Sequence, residues 1–225
     1  MFKSLVRKNV SLLLFVFLLA TFRGAIADWH PVPTGSMKPT ILEGDVVWHN
    51  KLAYDLKFPF TNIRLLELNE PKRGDIVVVN SSTAKTRLLK RLIGLPGDEI
   101  SINNNELAIN GVAAHYDLLS RKQIDQIRLS DREPGIYAIE QIEGVPSHTV
   151  HARAMALPSY PSYRAIVPEG HYFLMGDSRD NSADSRFYGS FAREELRGRA
   201  THVLLSINIL DAYKPRIERF FEPLL

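Results

Sequence analysis

What most constrains the fold of this chain is a series of short β-branched runs set off by glycine and proline. Asp45-Val46-Val47-Trp48 and Gly74-Asp75-Ile76-Val77-Val78-Val79 each come with a glycine turn. Arg87 to Ile93 is another run, and Glu99-Ile100-Ser101-Ile102 and Glu106-Leu107-Ala108-Ile109 flank Asn103-Asn104-Asn105 as a hairpin with a three-residue loop. His171-Tyr172-Phe173-Leu174-Met175 and Thr201 to Ile207 complete the set. Runs this short, with turn residues between them, predict an all-β domain. At 225 residues the chain has room for one sizeable core plus a small appended subdomain.

The first 27 residues read differently. Lys3, Arg7 and Lys8 precede the apolar or hydroxyl run Val10 to Ala20, and Thr21, Phe22 and Arg23 lead to Gly24-Ala25-Ile26-Ala27. Two readings compete. One is a secretory leader with a basic start, a short apolar core and Ala25-Ile26-Ala27 as its cleavage signal. The other is an uncleaved membrane helix over 10–27, roughly 27 Å long at 1.5 Å per residue, just enough for a bilayer core. On that reading Arg23 reaches the interface with its long stem, Trp29 sits at headgroup level, and the basic start keeps the N-terminus inside.

Composition removes several function classes. The net charge of +3 is small and the basic residues are scattered, so a nucleic-acid partner is not indicated. No cysteine is present, which excludes a thiol nucleophile, a disulfide framework and cysteine-ligated zinc. Of the histidines only His148 and His151 lie close together, with no acidic partner at ligand spacing, so no metal is expected.

Three separated stretches carry the chemistry: Pro33-Thr34-Gly35-Ser36-Met37-Lys38-Pro39-Thr40, Lys90-Arg91-Leu92-Ile93-Gly94-Leu95-Pro96-Gly97-Asp98, and Gly176-Asp177-Ser178-Arg179-Asp180-Asn181-Ser182-Ala183-Asp184-Ser185-Arg186. In this order, behind an apolar N-terminal segment, they resemble the boxes of the type I signal peptidases, membrane-anchored Ser-Lys serine proteases that remove signal peptides. The resemblance implies a core of coiled antiparallel sheets with an inserted small β subdomain. It divides the chain into a basic cytoplasmic segment (1–9), an anchor (10–27), a catalytic core (28–111 and 165–225) and an insertion (112–164). Within the insertion, Asp117 to Arg132 is polar and reads as helix or loop, and the later part carries Pro146, Pro158 and Pro161. The segment Lys51 to Lys72 contains Phe58-Pro59-Phe60, an apolar patch that reads as core or membrane-facing surface rather than as a ligand site.

A serine hydroxyl is a poor nucleophile without a base. No Gly-x-Ser-x-Gly elbow surrounds Ser36 and no histidine has a comparable setting; a lysine can serve instead, and although a lone lysine in a strand is more often a solvated edge residue, the resemblance implies that the base is Lys90. A lysine with an ordinary pKa of roughly 10.4 is almost never neutral near pH 7, but burial lowers that value. On a strand Leu88, Lys90 and Leu92 share one face, with Arg87, Leu89, Arg91 and Ile93 on the other, so Lys90 stands between two leucines. Lys38 is the rival base. It adjoins Pro39 in an extended stretch with nothing apolar to lower its pKa, and it is expected to be exposed.

The remaining roles come from the resemblance. The backbone N–H of Ser36 and the hydroxyl of Thr34, where many members carry serine, would form the oxyanion hole. Ser182 would orient the lysine amine, and Asp184 with Arg186 would be a structural ion pair. Asp177 and Arg179 read as turn or packing residues, and Ser178 departs from the asparagine more usual there. Met37 and its apolar neighbours are expected at a membrane-facing lip. The anchor is preferred over the cleaved leader because Ser36 follows Ala27 by nine residues, which holds it near the bilayer where leaders are presented.

The expected activity is removal of signal peptides after Ala-x-Ala-type sites, without a cofactor, with preproteins and membrane lipid as partners. The expected location is the bacterial cytoplasmic membrane, single-pass, with the catalytic part outside. Two alternatives stand beside it. A LexA-type self-cleaving protein would begin with a DNA-binding helix pair, which is absent. A catalytically silent β-rich envelope protein has no use for Ser36, Lys90 and Ser182 together.

Overall fold

The computed structural model describes residues 9–61, 63–127, 133–153 and 162–224, so Lys3, Arg7 and Lys8 and the prolines at 158 and 161 lie outside the described residues. In chain order, helix α1 (Val10–Ala25) leads into β1 (Ala27–Pro31), β2 (Asp45–Asn50) and a hairpin of β3 (Asp55–Lys57) and β4 (Arg64–Glu67). Then come β5 (Ile76–Ser81), β6 (Thr86–Gly94), β7 (Glu99–Asn103), β8 (Glu106–Ile109), β9 (Val112–Ala113) and β10 (His115–Leu118). A short α2 (Arg121–Gln126) precedes β11 (Ile136–Gln141), β12 (His148–Ala152), β13 (Ser162–Ile166) and β14 (His171–Met175). The chain ends through α3 (Ser185–Tyr188), β15 (Phe191–Ala192), the long β16 (Leu196–Asn208), β17 (Lys214–Pro215) and β18 (Glu222–Pro223).

The fold is mainly β. A nine-stranded sheet in the order β1-β2-β16-β5-β6-β14-β15 forms the body, with β17 and β18 also on β16. A four-stranded sheet, β13-β7-β8-β9, and a three-stranded sheet, β10-β11-β12, stand beside it. The pairings between these strands are antiparallel. Sequence explains the central strand directly. β5 lies between β16 and β6, and its run Ile76-Val77-Val78-Val79 is buried throughout, as expected of a strand covered on both faces. Segment 112–164 supplies β9 through β12 and begins β13, which runs on to Ile166; β9 and β13 complete the sheet of β7 and β8. Within it, Asp117 lies on β10, which ends at Leu118, and the polar run after Leu119 forms α2 as far as Gln126; the expectation for 128–132 lies outside the described residues.

Three expectations need correction. The hairpin loop is two residues long: Asn103 pairs with Glu106, and Asn104 and Asn105 take φ of 49° and 68°. Two consecutive left-handed residues make the tight turn that matches strand twist, and asparagine tolerates that conformation. Of the two readings of Phe58 and Phe60, core falls and surface stands, since both are exposed on the connection between β3 and β4.

The third correction concerns the N-terminal helix. It ends at Ala25, not Ala27, and among the described residues no helix is long and apolar enough to cross a membrane. The helix stops because the sheet captures the residues after it. Lys51 N–H donates to Ile26 O at 2.9 Å, and Ala27, Asp28 and Trp29 pair with Asn50, His49 and Trp48. The stretch that reads as a linker before Ser36 is therefore an edge strand, β1. Over Val10–Leu19 the helix is apolar apart from Ser11, with Leu12, Phe15 and Phe17 all exposed.

Candidate active site

The strand that carries Lys90 is paired unevenly. β5 covers β6 along its length, whereas β14 pairs only with Arg91, Leu92 and Gly94. Residues 86–90 therefore have one edge without a neighbouring strand. That edge borders a cleft of about 360 Å³ whose walls include Val32, Met37, Val47, Val78, Leu88 and Leu89, and which also holds Thr34, Ser36 and Lys90.

At this cleft Lys90 Nζ lies 2.6 Å from Ser36 Oγ. Lys90 is 3% exposed, and its amine also donates to Leu89 O at 3.1 Å. Leu92 is fully buried and Leu88 packs against the same apolar cluster, so the strand face does surround Lys90 with hydrocarbon. Burial lowers its pKa to about 8, while the charges of Asp184 and Asp177 keep it from falling further. About one molecule in ten then carries the neutral amine at pH 7.

Ser36 sits on a turn anchored at both ends. Met37, expected at a surface lip, is instead 1% exposed and packs with Val32, Ile41, Val47 and Ile76. The turn reverses direction at Ser36, so the residue after it points into the core and fixes the serine in place. Ser178 N–H donates to Ser36 O at 3.2 Å and ties the first motif to the third. Gly176 makes that approach possible, since a Cβ there would stand 2.4 Å from Ser36 O and 2.3 Å from Ser182 Oγ. Thr34 is exposed at the cleft, and among the described residues neither its hydroxyl nor the Ser36 N–H has a hydrogen-bond acceptor.

Ser182 donates its proton to Asp184 Oδ2 at 2.6 Å rather than contacting Lys90 by a hydrogen bond. The same carboxylate accepts from Gly176 N–H at 3.0 Å and from Arg186 at 2.7 and 2.9 Å in a two-pronged pair. Burial would raise the pKa of Asp184, but Arg186, Ser182 and Gly176 together hold it below the usual carboxylate value.

Two buried pairs extend this support. Arg91, on the opposite side of β6 from Lys90, holds Asp177 through contacts of 2.9 Å from Nε and Nη2, and Thr40 donates to the same carboxylate. Arg179 donates to Glu140 at 2.6 Å. His148 stands between them, its Nε2 3.1 Å from Glu140 and 4.0 Å from Asp177. Asp177 and Arg179 thus do more than shape a turn. The acidic partner of His148 is also present, on β11, where Glu140 faces it across the register. Cross-strand neighbours are invisible to spacing along the chain, which is why Glu140 and the Arg91–Asp177 pair were not anticipated.

Lys38 departs from expectation most. It is 8% exposed and bridges Glu43 at 3.1 Å and Glu133 at 2.9 Å. Burial alone would lower its pKa, but hydrogen bonds to Glu133 and Glu43 outweigh that and raise it above the ordinary lysine value. Two lysines therefore flank Ser36 in sequence or space, and only Lys90 is poised to lose its proton near neutral pH.

Comparison with known proteins shows the family of the chain. A family model described as signal peptidase, peptidase S26, matches residues 5–205. The chain is 31% identical to signal peptidase I of Pseudomonas aeruginosa over 77% of its own length and 59% of that protein. It is 34% identical to signal peptidase I of Rickettsia typhi over 95% of this chain and 90% of that one, and 36% identical to the Rickettsia prowazekii protein over 76% and 69%. The chain spans about three fifths of the length of the two Pseudomonas relatives, so agreement with them concerns that shared part.

Proposed function

The chain belongs to the peptidase S26 family of signal peptidases, and from that premise we propose that it is a signal peptidase I that cleaves preproteins by Ser-Lys acyl transfer. One observation carries the reading: a lysine amine with a lowered pKa lies 2.6 Å from a serine hydroxyl in an apolar cleft.

In this mechanism neutral Lys90 removes the Ser36 proton as Oγ attacks the scissile carbonyl. The developing oxyanion is met by Ser36 N–H and Thr34 Oγ, both without acceptors of their own among the described residues. The lysine ammonium then protonates the leaving amine. A water deprotonated by Lys90 releases the acyl group and restores Ser36. The Ser182 O–H is engaged as a hydrogen-bond donor to Asp184, so only its lone pairs remain for the amine. An amine that receives the Ser36 proton on its own lone pair keeps an N–H donated to Leu89 O, and that contact orients it; Ser182 would have to turn its lone pairs toward the amine to add to this.

The free edge of β6 at residues 86–90 suits an extended peptide, which would add to the sheet through main-chain bonds. Apolar walls of limited volume suit the small side chains of an Ala-x-Ala site. No cofactor enters these steps. We further assign residues 28–111 and 165–225 to the catalytic core, 112–164 to an insertion and 1–9 to a cytoplasmic segment.

Helix α1 is read as the apolar part of the membrane anchor of a protein of the bacterial cytoplasmic membrane, with the β body outside; its 16 residues, roughly 24 Å at 1.5 Å per residue, are shorter than a full bilayer core. Over Val10–Leu19 the helix is apolar apart from Ser11 and exposed at every residue, which suits lipid. The alternative, cleavage after Ala27, is disfavoured by the sheet: Ala27 is 3% exposed and paired with Asn50, so cutting there requires β1 to leave its partner. The test is a preprotein incubated with purified protein and with the Ser36→Ala variant. Cleavage by the first alone supports the reading, and equal processing by both overturns it.

A further inference from the structure

A second cavity, of about 230 Å³, opens where α1 meets the sheet and is separate from Ser36 and Lys90. Its walls include Gly24 and Ala25 at the helix end and four cations, Lys51, Lys57, Arg87 and Arg197, from four different segments. Two carboxylates also line it, Asp28 at 3.5 Å from Lys51 and Asp55 at 3.4 Å from Lys57, and each is held as well by an arginine outside the wall, Asp28 by Arg23 at 2.7 Å and Asp55 by Arg193 at 2.9 Å. Positive charge is therefore in excess inside a confined space.

An independent observation points to a missing partner. His49 is 1% exposed, lines this cavity, and has no hydrogen-bond partner at either ring nitrogen. A buried imidazole without partners is costly unless something occupies the space beside it. Burial and the surrounding cations push its pKa down to about 3, and Lys51, Lys57 and Arg197 are lowered as well, burial being the main cause in each case. An anion in the cavity would reverse these shifts.

We propose that this cavity is a phosphate site, and that its occupant is the headgroup phosphate of an anionic phospholipid. Four cations from separate segments line this one small volume, and although Lys51, Lys57 and Arg87 also donate to Arg23 O, Leu196 O and Asn80 Oδ1, such a cationic wall suits a tetrahedral oxyanion. The lipid source rests on the membrane placement of α1 proposed above; the phosphate chemistry does not. The position supports that source. The cavity lies at the end of the apolar helix, the Phe60 ring packs over Gly24, and the connection of β3 to β4 beside it exposes Phe58, Phe60 and Ile63. Arg87 and His30, in contact at 2.7 Å, belong to both this cavity and the catalytic cleft, so a bound phosphate would brace the free edge of β6.

The test uses the full chain in a neutral detergent, titrated by calorimetry with dihexanoylphosphatidylglycerol, with inorganic phosphate and with dihexanoylglycerol. The expected result is saturable binding of the phosphatidylglycerol, weaker binding of inorganic phosphate and none of the phosphate-free lipid. Lys57→Gln with Arg197→Gln should weaken binding about tenfold or more, whereas Arg121→Gln with Lys122→Gln, the same charge loss on the exposed α2, should leave it unchanged. Equal loss in both variants, or no saturable binding to the wild-type protein, overturns the site. Inorganic phosphate binding as tightly as the lipid overturns the lipid source. If the cavity variant does not fold, the His49 ring resonances of the wild-type protein decide: they should shift on adding the lipid, and resonances that stay put sink the proposal. Cleavage of a soluble Ala-x-Ala peptide, followed in parallel, reports on the Ser-Lys reading alone. A protein that binds the lipid but leaves the peptide intact counts against the protease and not against this site.

Discussion

Lys38 and Lys90 are both nearly buried, at 8% and 3% exposure, and their protons are held with opposite strength. Lys90 lies on a strand face between leucines, and its nearest charges, Asp184 and Asp177, are already committed to Arg186 and Arg91. Lys38 lies on a turn, yet two glutamates meet its ammonium directly. Burial pushes both pKa values down; what differs is whether a carboxylate without a cation of its own reaches the amine. Closeness to Ser36 in sequence therefore says little about which lysine gives up its proton more readily.

The sharpest way to break this comparison is to exchange the fates of the two lysines. Ser36→Ala and Lys90→Ala should each lower kcat at least about ten-thousandfold, with no further loss in the double variant, because the two groups act as a unit. Lys38→Ala should keep most of its activity. A dead Lys38→Ala beside an active Lys90→Ala would reverse the assignment of the base.

Thr34 tests whether the cleft around Lys90 is organised for charge beyond the lysine. Thr34→Val keeps the shape and deletes one oxyanion donor, with an expected loss of about a hundred- to a thousandfold in kcat. Thr34→Ser should be close to wild type. Unchanged turnover in the valine variant would put the second donor elsewhere.

How far this contrast could be read in advance depends on the distance between partners. Lys90 between Leu88 and Leu92 follows from strand alternation, and that local pattern survives folding. Lys38 defeats the same reasoning because Glu133 lies 95 residues away and reaches it only through the folding of segment 112–164. Met37 was misplaced for a related cause: one apolar residue on a turn carries no period, so its direction is set by Val32, Ile41 and Val47. β1 hid as a linker because Asp28-Trp29-His30-Pro31 has no β-branched run and is held in place by β2. The strands with β-branched runs were legible; the ion pairs that cross between sheets were not.

Stability offers a third probe. Lys90 binds its proton less tightly in the folded chain, at about 8, than in the unfolded chain, near 10.4. Between those values the unfolded state holds more protons, so this group makes stability rise with pH and contributes a constant penalty below about 8. Lys90→Met should remove the rise and stabilise the inactive protein at pH 7 by about 3 kcal/mol at most. Chemical denaturation at pH 7 and pH 10 measures both; equal stability of wild type and variant at pH 7 would mean that the lysine is solvated in solution.

Activity should follow the same proton. The rate constant for cleavage, with chemistry limiting, should rise with pH around a midpoint near 8. Leu88→Asp places a carboxylate on the Lys90 face at the cleft and should move that midpoint upward by about one unit, a tenfold loss at pH 7. A profile flat from pH 6 to 9 would exclude a lysine base.

The smallest effect belongs to Lys38. Its folded pKa is raised, so its contribution to stability is fully present below the unfolded value near 10.4 and is lost as pH climbs through the folded one. Glu43 and Glu133 are each about a quarter exposed, which screens the pairs and limits Lys38→Met to a cost of about 1 kcal/mol. That cost should appear at pH 7 and shrink above pH 11, opposite in sign to the change from Lys90→Met. Denaturation midpoints of the two variants at both pH values make the comparison. If the Lys38 variant were instead more stable at pH 7, the two lysines would share one kind of burial, and the contrast between a paired and an unpaired amine would fail.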